Sequence, residues 1–131
     1  MKKASLVLVA HGSRIKASND EIAEFVKLIS KEMGSEFVHI GVGFLELAEP
    51  LIPEALSEAA KVMRLKGARV LWVYPYFLAS GSHVSKDIPE IIERERTNYP
   101  DLTVKLLPYL GSKGALLEVV LSQVRRFQAD L

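Results

Sequence analysis

Short apolar runs alternate along this chain with longer amphipathic segments, and the spacing of the apolar positions separates the two kinds. Leu6 to Ala10 is unbroken and predicts a first strand. Ser18-Asn19-Asp20-Glu21 fits a capping box, in which Ser18 accepts from the backbone and Glu21 reaches back, so a helix is expected to begin there. Behind it Ile22, Phe25, Val26, Ile29 and Met33 recur at helical spacing until Gly34 supplies a stop. Glu36 to Leu45 predicts a second strand, although His39, Gly41 and Gly43 interrupt it. Pro50 and Pro53 frame the start of a second helix with Leu51, Ala55, Leu56, Ala59, Val62 and Met63 on its apolar face, and Gly67 ends it. Val70 to Leu78, "VLWVYPYFL", is apolar throughout, the pattern of a central parallel strand buried on both faces. A third helix is expected over Ile88 to Arg96, a fourth strand over Leu102 to Leu107, and a last helix from Lys113 to Gln128, where Leu116, Val120, Val124 and Phe127 share a face.

Strand and helix therefore alternate four times, which predicts an α/β fold. Parallel neighbours need crossover connections, and these are right-handed, so the expectation is a four-stranded parallel sheet with helices on both faces, flavodoxin-like. No linker or low-complexity tract divides residues 1–131, which read as a single small domain. The stretches "HGSR", "SGSHVS" and "LGSKG" each put Gly-Ser after a strand, a shared turn chemistry.

Ligands of open parallel sheets bind beyond the carboxyl ends of the strands, where neighbouring crossovers leave on opposite faces. A flavodoxin-like order makes strands one and three neighbours at that point. It would bring His11, after the first strand, and His83, after the third, to one crevice. A lone loop histidine is commonly no more than a solvated side chain; two at one edge point to a site. His39 falls inside a strand and reads as a sheet-face histidine. Glu46, in "GFLELAEP", belongs to the same edge and could ligate a metal or take a proton, while Glu49 reads as helix-start charge.

Composition narrows the chemistry. With 49% hydrophobic and 25% charged residues, the chain suits a globular domain and not a disordered one. Cysteine is absent, which removes disulfides, thiolate ligation and a cysteine nucleophile, and leaves His, Asp and Glu to hold any metal. Two histidines suit a borderline divalent ion such as cobalt, nickel, iron or zinc, and the positions they leave open suit an ion that is handed over. Net charge is +1 with Lys and Arg scattered, so no nucleic-acid surface is expected. The apolar run ending at His11 is too short for a signal peptide, and none approaches a membrane span, so a cytoplasmic protein is expected. The chain has no G-x-S-x-G elbow, and no G-x-G-x-x-G or Walker loop that would bind a nucleotide. "VAHGSR" is similar to the Arg-His-Gly opening of histidine phosphatases, but Ala10 stands where that chemistry needs arginine.

"LVLVAHGSR", "GFLELAEP" and "VYPYFLASGSHVSKDIP", in this order and spacing, resemble the class II tetrapyrrole chelatases, and among them the short archaeal CbiX type of sirohydrochlorin cobaltochelatase. The resemblance covers essentially the whole chain. It implies ATP-independent insertion of Co2+ into sirohydrochlorin, as in anaerobic cobalamin biosynthesis, with Ni2+ or Fe2+ as alternative metals. The other readings are a sirohydrochlorin ferrochelatase and a non-catalytic metal or tetrapyrrole carrier. Longer relatives contain two such units fused, so a chain with one unit implies a homodimer. On the matching positions, the resemblance makes His11 and His83 the metal-binding pair, with His11 also a base for pyrrole protons. Glu46 would contact substrate or handle protons, and Phe77, Leu78, Ala79, Ser80, Gly81 and Ser82 would form the loop against which the macrocycle lies. The chemistry suits these residue types: insertion removes two N–H protons and strips water from the metal, and a neutral imidazole can do both. Arg14 and Lys86 could meet substrate carboxylates, and Tyr74, Tyr76 and Phe77 could offer apolar surface to the ring.

Overall fold

A computed structural model describes residues 4–130. Strand β1 (Ala4–Ala10) lies inside a parallel sheet, between β2 (His39–Phe44) and β3 (Val70–Pro75), with β4 (Thr103–Leu106) beyond β3. Leu8 stands opposite Val42 on one side and Tyr74 on the other, and Val73 opposite Leu106. Alternate side chains point to opposite faces, so two hydrophobic clusters form. Val7, Val9, Leu71, Val73 and Val104 meet helices α2 (Ile52–Lys66) and α3 (Ile88–Arg96) through Ile52, Leu56, Met63, Ile88 and Ile92. Leu6 and Leu8 meet helix α1 (Lys16–Met33) through Val26 and Ile29. Crossovers from β1 and from β3 thus leave on opposite faces, and the predicted α/β architecture is present.

Helix α2 anchors the larger cluster. The Glu54 carboxylate accepts from the Leu51 N–H at 2.8 Å, which satisfies one of the orphan donors at its start. Ala55 and Ala59 are buried against the sheet, and a Cβ on Gly43 would come within 2.9 Å of the Ala55 Cβ, so small residues let helix and strand approach closely. Gly67 closes the helix with a left-handed φ of 73°. Truncating the fully buried Leu56 to Ala at this interface costs about 2–5 kcal/mol.

Three local expectations are corrected. Helix α1 starts at Lys16, so Ser18 lies inside it and forms no capping box. The entry is held instead by Asn19, whose Oδ1 accepts from the Ser13 N–H at 2.9 Å and whose Nδ2 donates to the Ser13 carbonyl at 2.7 Å. Strand β2 begins only at His39, because the chain still turns after α1. The third correction is larger. Strand β3 ends at Pro75 and is fully buried on one face only: Leu71, Val73 and Pro75 are buried, while Val70, Trp72 and Tyr74 on the other face are only partly buried. The reason is helix α4 (Ala115–Ala129), none of whose residues is buried. It borders the α1 face of the sheet through Leu116, Val119 and Gln123 without covering it.

Candidate active site

Past the last residues of β1 and β2 the chains remain stitched together. The Leu45 N–H donates to the Ala10 carbonyl at 2.8 Å and the Glu46 N–H to the His11 carbonyl at 3.1 Å, so His11 and Glu46 are held side by side. Gly12 turns the chain away with a φ of 93°, and a Cβ there would lie 1.8 Å from the Glu46 carbonyl oxygen. Only glycine fits between these backbones.

His83 reaches the same edge from the other side of the switch point. It opens a π-helical turn (His83–Asp87) that runs directly into α3, with the Ile88 N–H bonded to the His83 carbonyl. The wide turn carries the histidine toward β1. Its ring centroid lies 4.8 Å from that of His11, in an edge-on arrangement of 61°. Both side chains are near two-fifths exposed, at 41% and 42%, so an ion can reach them from solvent.

The hydrogen bonds give the two rings different partners. His83 Nδ1 lies 2.8 Å from Asp87 Oδ2, and since a carboxylate only accepts, the proton belongs on Nδ1. Its Nε2 lone pair is then left for a metal. His11 Nδ1 donates to the Gly12 carbonyl at 2.8 Å, and its Nε2 faces Glu46 Oε1 at 3.2 Å. An imidazole lone pair and a carboxylate would repel at that distance. The contact is favourable only with a proton or a cation between them, which makes it a place where a proton can be received.

A cleft of about 300 Å³ opens beside the pair, lined by Leu45, Glu46, His83, Asp87, Glu90 and Arg94 among others. Asp87, Glu90 and Arg94 were not singled out from the sequence. Their spacing from His83, at four, seven and eleven residues, is that of one helical stripe, a signal shared with ordinary surface pairs on a helix. Among the described residues no group of three or more His, Asp or Glu side chains is placed to hold a metal.

The other candidate positions separate. Leu78 is 72% exposed and Ala79, Ser80, Gly81 and Ser82 are exposed, all in the loop between β3 and His83, whereas Phe77 packs partly against the core. That loop is tied to the one after β4: the Gly111 N–H donates to the Phe77 carbonyl at 3.0 Å. Tyr74 and Tyr76 turn to the α1 face, where the Tyr76 ring lies 5.4 Å from Phe25, so they offer no surface at the histidines. Arg14 and Lys86 are exposed, and Glu49 is too, with Glu54 serving the helix start in its place. His39 pairs with Ser5 at the opposite end of the sheet. Burial pushes its imidazole below the ordinary 6.5, and Glu58 partly offsets this.

The model of the CbiX family matches residues 5–127. A sirohydrochlorin cobaltochelatase from Methanopyrus kandleri is 42% identical over 94 residues, which are 70% of this chain and 59% of that protein. The chloroplastic sirohydrochlorin ferrochelatase of Arabidopsis thaliana is 32% identical over 120 residues, 92% of this chain and 51% of its own. The chain spans about half the length of these curated relatives. In structure it is similar to the sirohydrochlorin chelatase SirB from Bacillus subtilis subspecies spizizenii in complex with cobalt. That match has a TM-score of 0.79 and 27% identity, over 95% of this chain and 50% of that one. With the family matched from the first strand to the last helix, and the paired histidines at the sheet edge, the chain belongs to the CbiX family.

Proposed function

We propose that this chain is a metal chelatase that inserts Co2+ into sirohydrochlorin without a nucleotide, acting in the cytoplasm as a homodimer. The observation that carries the reading is the approach of His11 and His83 to 4.8 Å at the carboxyl edge of the sheet. Insertion exchanges one divalent ion for two pyrrole protons, so the site needs a donor that gives up a metal and an acceptor for protons. His83, its Nδ1 committed to Asp87, presents Nε2 as the donor. His11 and Glu46 form the acceptor: His11 Nε2 takes the two pyrrole protons one at a time and passes each to the Glu46 carboxylate oxygen 3.2 Å away, which is exposed and releases it to solvent. His11 cannot hold the ion and accept a proton through Nε2 at once. It can share the incoming ion with His83 and must release it before taking the proton. The exposed loop 78–82 is available to the macrocycle.

A cleft of about 300 Å³ is at the small end of ligand sites. A tetrapyrrole would overhang it, which favours a second lobe from a second chain. The family relationship to sirohydrochlorin chelatases supports the substrate, and the higher identity of the Methanopyrus kandleri relative supports cobalt over iron. The test is an anaerobic absorbance assay with sirohydrochlorin and Co2+, Ni2+ or Fe2+ side by side. Multiple turnovers are expected, fastest with Co2+; a spectral change that stops at one equivalent of protein would mark a carrier instead. His11→Ala and His83→Ala should each lose about 100-fold or more in rate, with circular dichroism unchanged. Wild-type rates in either folded variant would refute the reading.

A further inference from the structure

We propose that Arg94 anchors the substrate: its guanidinium takes one peripheral carboxylate of the macrocycle in the cleft beside the histidines and so holds the ring over them. The inference rests on the function proposed above and adds a substrate contact to it.

The first observation is charge. The cleft of about 300 Å³ presents three carboxyl side chains, Glu46, Asp87 and Glu90, and among the described residues Arg94 is the one Lys or Arg that lines it. Asp87 is bonded to His83, and Glu46 faces His11. Carboxylates at the histidine end favour an incoming cation and oppose an anionic ring. A macrocycle with acid side chains therefore needs a positive charge elsewhere in the cleft, and Arg94 is that charge. Arg14 and Lys86, which the sequence offered for this task, do not line it.

The second observation is place. Arg94 stands seven residues beyond Asp87 on one stripe of α3, two turns or about 10 Å along the axis. Asp87 in turn holds His83, so the stripe runs from the metal-binding end of the cleft to the guanidinium. A cleft of this volume admits an acid side chain and not the whole ring. The ring then sits over the histidines with one acid arm directed along α3.

The third observation is that Arg94 is uncommitted. Arg64 is paired with Asp101, and Arg96 with Glu93 and the Val104 carbonyl. Among the described residues the Arg94 side chain has no ion pair, although Glu90 precedes it by four residues, the spacing of helical ion pairs. Nor does the end of α3 depend on it, since Arg96 also places a cation in the last turn. A guanidinium fork left free in this way matches both oxygens of a carboxylate.

The test is the binding of metal-free sirohydrochlorin, followed by its own fluorescence at low ionic strength with no metal present. Arg94→Gln should weaken binding about 10–100-fold, and the gap from wild type should narrow as salt is raised. Arg94→Lys keeps the charge and loses the fork, so its affinity should fall between the two. Affinity for Co2+ alone, read by visible absorbance, should stay at the wild-type value in both variants. Equal affinity for sirohydrochlorin in wild type and Arg94→Gln overturns the anchor and leaves the chelatase reading intact. A matching loss of Co2+ affinity also overturns it, because the substitution would then act through the histidines. A wild type that binds no sirohydrochlorin refutes the chelatase reading itself, and the anchor with it.

Discussion

His11 and His83 are the same residue type at the same edge, and their partners differ, which in the proposed function makes them different reagents. Asp87 fixes the tautomer and direction of His83; Gly12 and Glu46 turn His11 toward a proton acceptor. In the function proposed above, Asp87 is a positioning residue that acts through His83 and needs no contact with substrate. Replacing it by Ala frees the ring and should weaken Co2+ binding and slow insertion by about 10–100-fold. Asp87→Asn, whose amide oxygen still accepts from Nδ1–H, should restore most of the loss. Equilibrium titration with Co2+ followed by its visible absorbance reads the first effect, and equal affinities in Ala variant and wild type would remove the role. The sequence could point to His11, His83 and Glu46 because each follows a strand, and strand ends are where such sheets bind. Asp87 was hidden because a His-x-x-x-Asp spacing is also that of any surface pair on a helix. Only the approach of His83 to His11 tells the two cases apart.

At the scale of elements, periodicity located every strand and helix, and failed where a neighbour decided the outcome. The Ser18 box is a valid local signal, yet Asn19 clamping Ser13 starts α1 earlier, through bonds that span six residues. Strand β3 reads as buried on both faces, yet only one face is fully covered, because cover of the other depends on where α4 goes. Edge strand β2 carries a further consequence. The His39 imidazole is held below its ordinary pKa by burial, so the unfolded chain binds its proton more readily. The stability His39 contributes is present above about pH 6.5 and is lost as pH falls through the lowered folded value. His39→Gln should therefore flatten the fall in urea midpoint between about pH 7 and about pH 5. An unchanged profile would mean that other groups set the acid sensitivity.

The whole molecule joins a completed core on the α2–α3 face to an incomplete one on the α1 face. In the homodimer proposed above, burial of part of that face makes folding and association one equilibrium, so stability should depend on protein concentration. The melting temperature is expected to rise with protein concentration. A melting temperature that stays level with concentration would contradict this.

By itself the sequence determined the alternation of strands and helices, and with it the parallel α/β class and the edge where His11, His83 and Glu46 belong. Apolar spacing is a local property, and the crossover rules leave a chain of this pattern few topologies. The tertiary structure alone decided which nitrogen of each histidine is engaged, that Asp87 stands behind one of them, and that Tyr74 and Tyr76 face away from the pair. It also decided that helix α4, whose apolar residues share a face, has none of them buried. Those outcomes rest on distances between residues far apart in sequence, set by strand order and by the pinned turn at Gly111, and no window of neighbouring residues contains them.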